Sequence, residues 1–276
     1  MPTRLTEDLD QRLERLPPFP EAATRALQEL GRDISDFKRL ENVLGSDPVL
    51  TARILRIANS PFYGLPRKIV AIKDACILTG APTLRNLIVA AAAMRQFPVN
   101  QSALLDRAAL WRHSAQCAAF AAELAPVARQ ARDLAFTTGL LHDIGKLAID
   151  ALFPEECARI RERSETLNAE IDVLGATHAD IGARVAELWH LPPAIRDAIA
   201  AHHAPLPGNG GSLANVIYAA NVLTHAMGDG VNGTEAWSRL PDTVLDCFTL
   251  PTDAREALYA RAQTLAVAAA ELFTAT

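Results

Sequence analysis

Apolar residues recur at steps of three and four along almost the whole chain, and no run of strict alternation bounded by hairpin turns interrupts them. This periodicity predicts an all-α fold. In the first third the helices it predicts are short. "PEAATRALQELG" opens on Pro20 and stops at Gly31, and "SDPVLTARILRIANS" offers Asp47 as N-cap and Pro48 as the first helical residue, with Ile54 and Ile57 inward. "NSPFYGLPRK" then breaks the chain at Pro61, Gly64 and Pro66. Another helix ends at Gly80, and the next runs from Pro82 to about Phe97. Residues up to about 100 therefore predict one helical lobe without obvious catalytic groups. It should share a core with the helices after it, because the connection "RQFPVNQSALLD" is short.

Beyond it the predicted helices are longer, and polar residues sit on their apolar stripes. Leu110, His113, Cys117, Phe120 and Leu124 share one face. From Asn168 onward, Ile171, Leu174, His178, Ile181, Val185 and Leu188 repeat the spacing, which gives His178 a core position. After Pro192 and Pro193, Ile195, Ile199, His202 and His203 extend another buried face. "GLLHDIGK" sets His142 and Asp143 side by side in an apolar run.

Composition narrows the function classes. The chain has 276 residues, half of them hydrophobic and only 5% aromatic, with alanine prominent, which suits close helix packing. Net charge is −5 with no basic block, so nucleic acid is not an expected partner. The longest apolar stretch, Leu87 to Met94, is too short to span a bilayer, and the charged "MPTRLTEDLDQRLERL" lacks the apolar segment of a secretory signal. The expectation is a cytoplasmic protein without membrane attachment. Cys76, Cys117, Cys157 and Cys247 lie far apart with no CxxC pair, and read as buried free thiols.

An inward histidine is most often a core residue hydrogen-bonded to backbone, and His190 and His225 are read so. His113, His142, His178, His202 and His203 together with Asp143 make a different case. Each would cost kilocalories to bury unsatisfied, and one cation can satisfy several at once. Imidazoles with a carboxylate suit zinc, iron, manganese, nickel or cobalt. Successive helix positions lie about 100° apart, so His142 and Asp143 can straddle the inward direction and reach one ion.

"HDIGK" with the upstream His113 resembles the HD superfamily of metal-dependent phosphohydrolases. "THADIGARVAELWHLPPAIRDAIAAHH" is similar to the version with extra histidines found in HD-GYP phosphodiesterases and HDOD domains. The first third, "LPPFPEAATRAL" and "SDPVLTARILRIANSPFYGLPRKIVAIKDACILTG", is similar to the HDOD pattern in particular. The resemblance implies a multi-helical HD-like bundle with an additional N-terminal lobe: an HDOD domain over residues 14–208, and C-terminal helices of 209–276 packing on the same body. It also implies a first metal position using His113, His142, Asp143 and a late acidic residue, and a second using Asp143 with His178, His202 and His203.

Two departures bear on activity. The late acidic position falls in "NVIYAANVLTH", where Asn221 stands in place of a carboxylate. After His203, "APLPGNGG" lacks the Gly-Tyr-Pro and acidic residues that accompany cyclic-dinucleotide hydrolysis. The expectation is a regulatory signalling module holding one divalent transition metal and working through signalling proteins or a small ligand, with homo-oligomerisation open. The alternative is a metal-dependent phosphohydrolase in which Asp143 and Lys146 would serve catalysis. A third reading is a metal-free scaffold whose histidines form only a hydrogen-bonded core.

Overall fold

A computed structural model describes residues 4–30, 37–65, 67–97, 105–164, 166–205 and 211–274, and every regular element among them is helical. Helices α1 (Arg4–Leu13), α2 (Glu21–Glu29), α3 (Phe37–Gly45), α4 (Pro48–Ala58), α5 (Ile72–Thr79) and α6 (Ala81–Ala93) precede the long central α7 (Arg107–Leu124). Then come α8 (Arg132–Leu141), α9 (Ile144–Leu152), α10 (Pro154–Glu162), α11 (Leu167–Leu174), α12 (His178–Leu188), α13 (Pro193–Ala201) and α14 (Leu213–Gly228). Two short helices, α15 (Gly233–Ser238) and α16 (Asp242–Leu245), lead to α17 (Thr252–Thr274), which lies along α7. Among the described residues no helix is long and apolar enough to cross a membrane.

Local signals account for several boundaries. The Asp47 carboxylate accepts from the Leu50 amide and Pro48 opens α4, with Ile54 and Ile57 buried, as the sequence predicts. Gly80, at φ +84°, separates α5 from α6. α6 stops at Ala93, short of the predicted Phe97, because residues 94–97 continue as tighter turns. Gly31, Pro66 and most of "APLPGNGG" lie outside the described residues.

α7 is the axis of the molecule. Ala115, Ala118 and Ala122 pack with α4, α6 and α8, Cys117 and Phe120 pack with α14 and α17, and Leu110 faces the core built from α9, α12 and α13. Small residues permit this. A Cβ on Gly139 of α8 would sit 2.7 Å from the Ala118 Cα, so the two helices touch backbone to backbone. The lobes are joined by rings as well: Phe62 stacks on Phe136 of α8 with centroids 4.2 Å apart. α1 is held by distant partners. Arg12 donates to Leu152 O at 2.9 Å and to Glu156 at 2.8 Å, Arg184 pairs with Asp10, and Trp189 Nε1 donates to Pro17 O.

The continuous stripe predicted from Ile171 to Leu188 is in fact two helices. Gly175 adopts the left-handed conformation that ends α11, and Thr177 with Asp180 forms a capping box that starts α12. The break rotates the two faces apart, leaving Ile171 and Leu188 exposed and making His178 the first residue of α12. Of the four thiols, Cys76 and Cys117 are buried, while Cys157 and Cys247 are only half-buried.

Candidate metal centre

Three helix ends and two helix interiors deliver the polar residues to one place. His142 caps the end of α8, and Asp143, at φ −98° and ψ 15°, occupies the turn before α9. The doublet therefore sits at a helix–helix corner rather than on a helix face, and its side chains converge because the backbone bends there. His178 opens α12, while His202 and His203 follow the last turn of α13. His113 comes from the middle of α7, and Asn221 and His225 from α14.

The motif's second glycine brings His178 in. A Cβ on Gly145 would lie 1.8 Å from the His178 carbonyl oxygen and 2.8 Å from the Gly182 nitrogen. Only two facing glycines let α9 and α12 approach so closely.

Hydrogen bonds to the outer ring nitrogens fix three imidazoles. His142 Nδ1 donates to Gly139 O at 2.7 Å, and His202 Nδ1 donates to Ile199 O at 2.6 Å. His178 Nδ1 donates to Glu170 at 2.8 Å. A carbonyl or carboxylate oxygen only accepts, so each Nδ1 carries a proton, and the ring in its neutral form presents an Nε2 lone pair. Those lone pairs point at one another and at Asp143. His178 Nε2 lies 3.1 Å from Asp143 Oδ1, 3.2 Å from His202 Nε2 and 2.9 Å from His203 Nε2, and His202 Nε2 is 3.5 Å from the same carboxylate oxygen. Asp143 Oδ1 and His142 Nε2 are buried without a hydrogen-bond partner; the neighbouring imidazoles are near Oδ1 but none is aligned to donate.

Such an arrangement is expensive as a bare hydrogen-bond network and fits a cation. Ligand atoms bound at about 2.1 Å in tetrahedral or octahedral geometry stand roughly 3.0–3.4 Å from one another. The spacings among Asp143, His178, His202 and His203 span that range, and their ligand atoms all lie within 4.8 Å. His113, His142 and Asp143 form a second group by the same measure.

The electrostatics agree with a site built for positive charge. Burial alone would raise the Asp143 carboxyl, but the neighbouring His142 and Lys146 hold it well below the usual range. Burial pushes His142 well down, His113 to about 4 and His203 to about 3, which keeps these rings neutral. His178 is the exception. Burial pulls it down too, yet Asp143 and Glu170 together raise it above its ordinary value.

The two sides of Asp143 differ. Oδ1 faces His178 and His202, whereas Oδ2 accepts from Lys146 Nζ at 2.8 Å. On that second side His113 Nε2 is 3.9 Å away and is itself 3.1 Å from Asn221 Oδ1. An amide there shares a hydrogen bond with His113 where a carboxylate would bring charge.

Glu170 is the residue that sequence reasoning missed. Its Oε2 also accepts from the His178 amide at 2.7 Å, so one carboxylate caps the first turn of α12 and orients its leading ring. The available signal was a glutamate between Ala169 and Val173, both buried, in a helix that ends five residues later at a left-handed glycine. His225 and His190 also depart from expectation. His225 is exposed, its ring 4.7 Å from that of His113, and His190 is an exposed turn residue at φ +52°.

Beside the cluster lies a cavity of about 400 Å³, with His113, Asp143, Lys146 and His225 at one end, Leu110, Ile149 and Ile160 along its wall, and Arg161 and Glu170 also lining it.

The HDOD domain family matches residues 16–205. A crystal structure of a candidate phosphohydrolase from Shewanella amazonensis SB2B is similar at 27% identity, with a TM-score of 0.79, covering 96% of this chain and 97% of that one. An HDOD domain protein of unknown function from Geobacter sulfurreducens shares the fold at 23% identity and a TM-score of 0.70, covering 97% of each chain. An uncharacterized protein of Treponema pallidum is 26% identical over 275 residues; the match takes in 95% of this chain but only 51% of that relative's length. With a helical bundle, an HD corner and a lobe bearing the Asn-Ser-Pro-Phe-Tyr-Gly segment all under one family match, the chain belongs to the HDOD domain family.

Proposed function

We propose that the chain is a signalling module that holds one divalent transition metal as a structural or ligand-sensing centre, acts through contacts with another protein or a small ligand, and has little or no hydrolase activity. The observation that carries this reading is the asymmetry of Asp143. One oxygen meets imidazole nitrogens whose protons are tied up elsewhere, and the other is occupied by an ammonium. Asp143, His178, His202 and His203 would hold the ion, with His142 and His113 beside it.

A cation held by Asp143, His178, His202 and His203 would supply countercharge to Asp143 and Lewis acidity. The residues of the chain do the rest. Glu170, Gly139 O and Ile199 O hold three rings in the metal-binding tautomer. Lys146 offers a positive charge to any anion entering the cavity. Hydrolysis across two ions needs a second cation about 3.5–4 Å away, and Asn221 with Lys146 makes that side a poor host.

The test is protein loaded with Mn²⁺ or Fe²⁺, analysed for bound metal and assayed on a generic phosphodiester and a nucleotide panel. Bound metal without turnover is expected. Turnover that disappears in Asp143→Ala would overturn the reading in favour of a phosphohydrolase, which the cavity and the Shewanella relative make the second choice.

A further inference from the structure

A second groove lies on the N-terminal lobe, away from the histidines. It has a volume of about 810 Å³ and runs between α4 and the described residues from Asn59 to Leu65 and from Arg67 to Val70. Its floor is apolar, with Ala52, Leu55 and Leu65, and Arg56, Arg67 and Lys68 line it. A shallower continuation along α4 adds Val49 and Arg53. Positive charge is crowded here: burial, then Arg95 and Arg56, pull the Arg53 guanidinium below its ordinary value. Asp47 and Asp74 pair with Arg95 and Arg67, while Arg53 and Lys68 add positive charge along the groove, in a chain whose net charge is −5.

Two further features mark a prepared surface. The Asn59 side chain donates to Leu55 O and Ile69 O and accepts from Ile69 N, all at 2.7 Å, so the far wall is stapled to α4. Ser60 also lines the groove, and its buried hydroxyl has no partner. Large apolar side chains stand out at the rim, Val49 being 53% and Val70 73% exposed. On α4, Val49, Ala52, Arg53 and Arg56 fall at steps of three and four, a stripe about two turns long.

We propose that this groove docks an acidic, amphipathic helix of a partner protein, whose apolar face would cover Leu55, Leu65, Val49 and Val70 while its carboxylates meet Arg53 and Lys68. The proposal rests on the reading of the chain as a contact module. Charge complementarity selects the acid, and the apolar floor with exposed valines selects a helix face over a phosphate backbone, which would leave them in water.

The experiment is fluorescence anisotropy on the full chain with a labelled three-heptad peptide of Leu at the a and d positions and Glu elsewhere. Comparison probes are the same residues scrambled, the Lys counterpart, and a single-stranded oligonucleotide of equal charge. Saturable binding of the Leu–Glu helix is expected, weakened about tenfold or more by Lys68→Glu and likewise by Val70→Asp. Circular dichroism and melting of both variants should match the parent, since Lys68 and Val70 are exposed. The proposal fails if the scrambled peptide binds equally, if the oligonucleotide binds better, if nothing saturates, or if the variants bind unchanged. Because Asp143→Ala and chelator should leave peptide binding intact, failure here is separable from failure of the metal-centre reading, which the phosphodiester assay decides.

Discussion

Asn221 carries the sharpest single-atom contrast in the site. Replacing its amide by a carboxylate in Asn221→Asp places a negative charge 3.1 Å from His113 Nε2, where the wild-type oxygen only shares a hydrogen bond. Bound metal, measured by inductively coupled plasma mass spectrometry on protein grown in metal-rich medium, should rise from about one ion per chain toward about two. Glu170 acts one step back from the ion. Glu170→Gln keeps the shape but loses the charge that fixes the His178 tautomer, and metal affinity should fall about 10- to 100-fold by competitive chelator titration, with the helical circular dichroism unchanged. That His113, His142, Asp143, His178, His202 and His203 come together was legible in the sequence because each interrupts an apolar run. Glu170 was not, since its role depends on a turn at Gly175 that carries it back over His178, eight residues on.

Gly145 decides whether two helices can meet. In Gly145→Ala the new methyl carbon would occupy space 1.8 Å from the His178 carbonyl oxygen, so α12 must retreat and carry His178 away from Asp143. Overpacking of this kind costs about 1–3 kcal/mol, and the variant should melt lower and retain little metal although no ligand has changed. The check is melting with and without added Zn²⁺: parent protein should be stabilised and the variant should not. Helix existence and the caps of α4 could be read from spacing and punctuation. The division of α11 from α12 could not, because a periodic apolar stripe reads through a glycine whose left-handed φ is visible only in three dimensions.

Across the molecule, the histidines set how stability responds to acid. His113 and His203 titrate near 4 and 3 in the folded chain, His142 well below its ordinary value and His225 also below it, against about 6.5 unfolded. The unfolded state then binds more protons below pH 6.5, so their contribution is present above that value and lost as pH falls toward 4. His178 is raised and works in the opposite sense, but it is one ring against four. Chelator-treated protein followed by calorimetry should therefore melt at a nearly constant temperature above pH 7 and drop on the order of 5–10 °C between pH 6.5 and 4. Saturating metal should raise the neutral-pH melting temperature and steepen the acid loss, since the ion leaves as its ligands protonate.

The clasp on α1 has a consequence for how the chain is made. Arg12 waits for Glu156, 144 positions later, and Asp10 for Arg184, 174 positions later. At about 5–20 residues per second of synthesis, the inner face of α1, with Leu9 and Leu13, stays uncovered for roughly 7–30 s while the chain between is produced. Throughout that interval α1 is a short amphipathic segment with nothing to lie on, the kind of surface that holdase chaperones recognise, and its seating should be among the last events in a ribosome-bound chain.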